Sequence, residues 1–250
     1  YTAIDPTRYA DSRPQPTFDN QYRDTGKITG GTFWKIPIAG RGPVPATAAT
    51  AVLNVTAVVP DGPGHLTIYP CTANVPTASS LNYTAGMVRP NEVVAKLSDT
   101  GHVCIYTHAN AHLIVDAVGY IDDVPGYTSI DPTRYADSRP QDTFDGNYRD
   151  RGPNPAGTSW EIDIAGRGTV PASATAAVLN VTVVLPDGFG HATVYPCTAT
   201  VPNASSLNYA PGDVRANEVL AKLSPTGTIC IYTHANAHLI VDITGHNGTL

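Results

Sequence analysis

Ala51-Val-Leu-Asn-Val-Thr-Ala-Val-Val59 is the most strand-like run of the chain. It is rich in β-branched residues and lacks Gly, Pro and charge. Alternate residues of a strand point to opposite faces. Ala51, Leu53, Val55, Ala57 and Val59 therefore make an all-apolar face, and Val52, Asn54, Thr56 and Val58 a mixed one. The run returns as Ala177-Val-Leu-Asn-Val-Thr-Val-Val-Leu185. The copying extends well beyond it. Tyr1 to Pro14 returns as Tyr127 to Pro140 at the same offset. Aligned without gaps, roughly seven positions in ten are identical. A register kept through loops as well as strands means duplication of a whole domain.

The 250 residues thus divide into two units, 1–120 and 127–250, joined by a short acidic linker at 121–126. Each unit is long enough to bury its own core. Charged residues make up 14% and hydrophobic ones 42%, which suits a folded chain. Gly and Pro occur 22 times each and Met once. That balance fits many turns between short strands. The net charge is −6 and no basic cluster interrupts it, so no nucleic-acid partner is expected. No apolar run is long enough to span a bilayer as a helix, so membrane insertion is not expected. No initiator Met or signal peptide precedes Tyr1, which reads as a mature or excised piece of a longer protein.

About eight strands are expected per unit. In the first they fall at 8–13, 33–38, 50–59, 65–70, 79–83, 92–97, 102–107 and 112–120. Ala109-Asn-Ala111 reads as a hairpin tip, and the divergent stretch 25–30 as a surface loop. Helical spacing is not sustained anywhere for three turns. The expected fold is all-β: two tandem β-sandwiches of jelly-roll type.

Four cysteines allow three pairings. Cys71 with Cys104 and Cys197 with Cys230 let each unit close on itself, and this pairing is preferred. Bonded cysteines imply an oxidising setting, hence a secreted, cell-surface protein.

These residues resemble a repeat of large secreted, multi-modular proteins of actinobacterial-type bacteria. The likeness rests on Arg8…Arg13, Val44-Pro45, Val52–Thr56, Tyr69-Pro70-Cys71, Ser80-Leu81-Asn82, Val103–Tyr106 and His112–Tyr120, with copies from Arg134 to Gly245. It departs at Tyr9-Ala10, where two bulky aliphatics are usual, and at His108 and His234, where a small polar residue is usual. It departs again where the second unit ends in Gly245-His246. The resemblance implies a β-rich, non-catalytic surface module and no particular ligand.

Several groups invite chemistry. His108 and His112 flank the expected hairpin tip, as His234 and His238 do in the copy. Two imidazoles facing each other could begin a metal site. Zinc, however, needs a third and usually a fourth ligand, and His65 or Asp116 could supply one only if the fold brings it there. The plain alternative is a solvated His108 and a hydrogen-bonded His112, and no metal or cofactor is assigned. Asp116 and Asp242 sit within apolar strand sequence and need buried partners. Arg13 or Asn54, with Arg139 or Asn180 in the copy, are expected to serve in a structural polar network. A His112–Asp116 triad reading lacks any Gly-x-Ser-x-Gly nucleophile context. Arg13 with Trp34, and Arg139 with Trp160, could contact a glycan, although Trp34 shares its face with Ile36 and Ile38.

The sequence therefore points to a non-catalytic structural or adhesive module of an extracellular stalk or fibre. Its expected partners are neighbouring copies of the same repeat. The second possibility is a pair of carbohydrate-binding modules.

Overall fold

The computed structural model describes residues 1–122, 126–197 and 200–248. The chain forms two compact units, Tyr1–Val124 and Pro125–Leu250. Unit 1 holds β1 (Thr2–Asp11), β2 (Thr32–Pro37), β3 (Ala48–Val58), β4 (Gly64–Tyr69), β5 (Leu81–Tyr83), β6 (Val88–Lys96), β7 (His102–Thr107) and β8 (His112–Asp122). Unit 2 holds β9 (Thr128–Asp137), β10 (Thr158–Asp163), β11 (Ala176–Val184), β12 (Gly190–Pro196), β13 (Leu207–Tyr209), β14 (Val214–Lys222), β15 (Thr228–Thr233) and β16 (His238–His246).

In unit 1 the order β1-β8-β3-β6 makes sheet I and β2-β7-β4-β5 makes sheet II. Unit 2 repeats both orders. All these pairings are antiparallel. Eight strands so ordered are two Greek keys folded over one another, the jelly roll expected from the sequence.

Alternation decides which side chains meet between the sheets. Ala51, Leu53, Val55 and Ala57 of β3 are wholly buried, and Leu113, Val115 and Ala117 of β8 join them. From sheet II come Ile36, Leu66, Ile68, Val103 and Ile105. Each buried Leu or Ile contributes about 1.5–3 kcal/mol of apolar burial. Unit 2 has its own equivalent core around Leu179, Val181, Ile231 and Val241. β1 and β6 carry Pro6 and Pro90, and both are edge strands, where a missing N–H breaks no ladder.

Four sequence expectations change. Val59 leaves the apolar face: β3 ends at Val58, and Val59 is 46% exposed with φ +46°. β8 continues through Ile121 and Asp122, which pair with Thr50 and Ala48. The expected linker thus gives its first two residues to the sandwich, while Asp123, Val124 and Pro125 lie outside the described residues. Ala109–Ala111 is not a hairpin tip. β7 pairs with β2 and β4, whereas β8 pairs with β1 and β3, so this segment crosses from one sheet to the other. Finally, the stretch matching 25–30 is not wholly on the surface. Asn154 is fully buried, and its amide nitrogen donates to Thr233 Oγ1 at 2.8 Å.

Candidate functional site

The polar groups singled out from the sequence gather at the end of β1. Asp11 is fully buried there. Arg13 grips it with Nε to Oδ1 at 2.9 Å and Nη2 to Oδ2 at 2.8 Å, and the Arg13 amide donates to Oδ1 at 3.0 Å. Arg8 Nη1 adds a bond to Oδ2 at 3.2 Å. Burial alone would raise the Asp11 carboxyl. The Arg13 hydrogen bonds outweigh it and hold the group below the usual carboxylate range. Asp137, Arg139 and Arg134 repeat the knot in unit 2.

Asn54 lies directly across the ladder from Asp116, but the ion pair that Asp116 makes is not with Arg13. Its partner is Arg8, through Nε to Oδ1 at 2.8 Å and Nη2 to Oδ2 at 3.2 Å. A bulge in β1 brings Arg8, not Tyr9, opposite Asp116. Arg8 lies opposite Asp116 and Ala10 opposite Val115, so Tyr9 is an extra residue that enters the core. In unit 2, Arg134 binds Asp242 likewise, at 2.9 and 3.1 Å. Asn54 stands beside this pair, between Asp116 and Glu92 on the outward face of sheet I. Asn180 takes the equivalent place beside Asp242 and Glu218. In unit 1 an open cleft of about 580 Å³ lies on this face, lined by Pro6, Arg8, Pro16, Asn54, Glu92 and Asp116.

His112 does not meet His108. Its Nδ1 lies 3.0 Å from Ser12 Oγ, which also accepts the Leu113 amide hydrogen at 3.0 Å. Ser12 is fully buried, and its hydroxyl ties the segment after β1 to β8. Burial lowers the His112 pKa, helped by Lys27 and Arg13 nearby. His238 and Ser138 repeat the bond at 2.9 Å. His108 instead stacks on His65, with centroids 5.4 Å apart, and His234 stacks on His191 at 5.6 Å. The sheet-to-sheet crossing between β7 and β8 is what separates His108 from His112.

Of the two tryptophans, Trp160 has no open face for a sugar. Trp160 is 5% exposed within the core of unit 2, and Trp34 packs half-buried against the core of unit 1. Arg13 and Arg139 are committed to their aspartates. Cys71–Cys104 and Cys197–Cys230 are bonded as expected. Each closes a loop of sequence separation 33 and stabilises its unit by about 3–4 kcal/mol in the chain-entropy model. Glu161 lies close to Cys197 and Cys230, but sulfur in a disulfide is no thiolate ligand. The bonded pairs fit an oxidising environment. Among the described residues, no helix is long and apolar enough to cross a membrane.

Sequence reasoning missed one arrangement. The Arg41 guanidinium lies 5.2, 5.1 and 4.8 Å from the ring centres of Tyr9, Phe18 and Tyr22. Its Nη1 donates to Pro37 O, and Nε and Nη2 reach Asp19 Oδ2 at 3.2 and 2.6 Å. The Tyr9 hydroxyl donates to Arg41 O. Arg167 repeats this with Tyr135, Phe144, Tyr148 and Asp145. The only sequence signal was an Arg-Gly copied after a turn in both units. No protein-family model matches the chain, and no curated protein matches it.

Proposed function

We propose that the chain is a pair of non-catalytic structural modules from an extracellular stalk or fibre, with neighbouring copies of the same repeat as partners. The observation that carries this reading is the doubled Asp11 and Asp137 knot. In both units the arginines and aspartates that suggested ligand chemistry are spent on tying strands together, with nearly the same distances. Self-contained cores and one disulfide per unit suit modules that bear load outside the cell. Electron microscopy of the native parent material is the test. Threads with a repeating bead support the reading, and isolated globules would refute it.

A second reading, carbohydrate binding, draws on the open cleft beside Arg8, Asn54, Glu92 and Asp116. Arg, Asn and carboxylates suit sugar hydroxyls. Glycan-array binding lost in Asn54→Ala and Glu92→Ala would favour it, and a blank array would end it.

A further inference from the structure

We propose that His65 with His108, and His191 with His234, form two equivalent bis-imidazole sites for a late first-row divalent metal ion, Cu2+ foremost. Four of the eight histidines of the chain fall into these two pairs. The pairing follows from register. Leu66 lies opposite Thr107, and the His108 amide donates to His65 O at 3.0 Å. His65 and His108 therefore stand across neighbouring strands on the outward face of sheet II. His191 and His234 repeat the same amide bond at 3.0 Å. Side chains directly opposite in an antiparallel pair have Cβ atoms about 4.5–5.5 Å apart.

The pair is held close by its surroundings. A Cβ at Gly64 would lie 2.8 Å from His108 Cβ, and one at Gly190 would lie 2.8 Å from His234 Cβ. Glycine at these positions lets each second histidine settle against the neighbouring strand. The rings are near-parallel, at 28° and 26°. Tyr106 and Tyr232 flank them diagonally, 5.7 and 5.8 Å from His65 and His191. His108 and His234 are exposed and His65 and His191 half-buried, so an ion reaches them from solvent.

The chemistry fits this spacing. Imidazole nitrogen binds such ions through its in-plane lone pair at about 2.0–2.1 Å, so the rings leave the stack by side-chain rotation to turn one nitrogen of each toward a shared ion. Water fills the remaining positions. Imidazole suits Cu2+, Ni2+ and Zn2+, and the Irving–Williams order places Cu2+ first. No thiolate competes, because all four cysteines are bonded in disulfides.

The test is calorimetric titration of the full chain with Cu2+, paired with electron paramagnetic resonance to count coordinating nitrogens. The intact chain is expected to bind two more ions than His108→Ala/His234→Ala, and each single variant one fewer than the intact chain. Both changes fall on exposed side chains, so the fold persists. His102→Ala, outside the pairs, keeps both ions. Equal stoichiometry in the intact chain and the double variant would overturn the proposal. So would loss of an ion in His102→Ala, or a copper signal with a single nitrogen in the intact chain.

Discussion

Arg13 reaches back over two residues to close a bidentate ion pair on Asp11, whose carboxylate has no solvent exposure. The Arg13 amide and Arg8 complete the set, so one buried carboxylate fixes the turn after β1 and the β1 edge together. Asp11→Asn keeps the shape and removes the charge that two guanidinium groups are oriented around. The expected cost is about 2–3 kcal/mol, since charge-assisted bonds to a buried group are the expensive ones to lose. Urea unfolding followed by fluorescence checks it. Unit 1 should unfold earlier while unit 2 stays put, so the single curve becomes biphasic. An unshifted curve would show the knot to be decorative.

The same groups set the response to acid. Asp19 and Asp145 join Asp11 in lying below the usual carboxylate range. Burial would raise them. Arg41 prevails at Asp19, and the Asn147 amide with Arg167 prevails at Asp145. A carboxyl lowered by folding binds fewer protons folded than unfolded, so its contribution is full above its unfolded pKa of about 3.9 and fades as pH falls through the lowered value. His112 is also lowered, by burial first and then by Lys27 and Arg13. Its contribution begins to fade earlier, as pH drops below about 6.5. Chemical denaturation from pH 8 to 3 should show two successive losses of stability. His112→Gln should remove the upper one and Asp11→Asn should shrink the lower one. A flat profile in the intact chain above pH 5 would contradict the His112 assignment.

How far the sequence could be read depended on the distance each inference had to travel. The faces of β3 were legible because alternation is local, from Leu53 to Val55 to Ala57. The disulfides were legible because duplication offered each Cys a partner within its own unit. Contacts that need register were not. Whether Arg8 or Tyr9 faces Asp116 turns on one extra residue in β1, and nothing near Tyr9 announces a bulge. His108 and His112 are neighbours in sequence but belong to different sheets, while the ring that His108 meets, His65, arrives on another strand. Arg41 sits among rings contributed by Tyr9, Phe18 and Tyr22, which only the folded loop brings together.

That aromatic enclosure gives a third prediction. Arg41 offers a planar fork to Asp19 and a flat face to three rings, and lysine offers neither. Arg41→Lys preserves the charge, so any loss reports geometry alone. The expected loss is about 1–2 kcal/mol, and Arg167→Lys should match it in unit 2. Differential scanning calorimetry of the two variants checks this. If lysine is tolerated at both places, the rings gain nothing from the guanidinium plane.

Val59 gives the fourth. It follows the last residue of β3 with φ +46°, and its amide donates to Met87 O at 2.8 Å. The left-handed region is costly for any residue with a Cβ and worst for a β-branched one. Nearly half of this side chain is exposed, so little burial offsets the strain. Val59→Gly removes a penalty of about 1–2 kcal/mol and adds about 0.5–1 kcal/mol of unfolded-state entropy, leaving a gain of roughly 0.5–1 kcal/mol. Val59→Ala keeps the Cβ and should gain much less. Leu185 holds the same place in unit 2 with φ +50°, and without a branched Cβ its glycine variant should gain less than Val59→Gly. Urea midpoints decide it: Val59→Gly must rise above the parent chain. A midpoint that falls in the glycine variant as far as in Val58→Gly, one residue earlier in the strand, would mean that Val59 carries no strain to relieve.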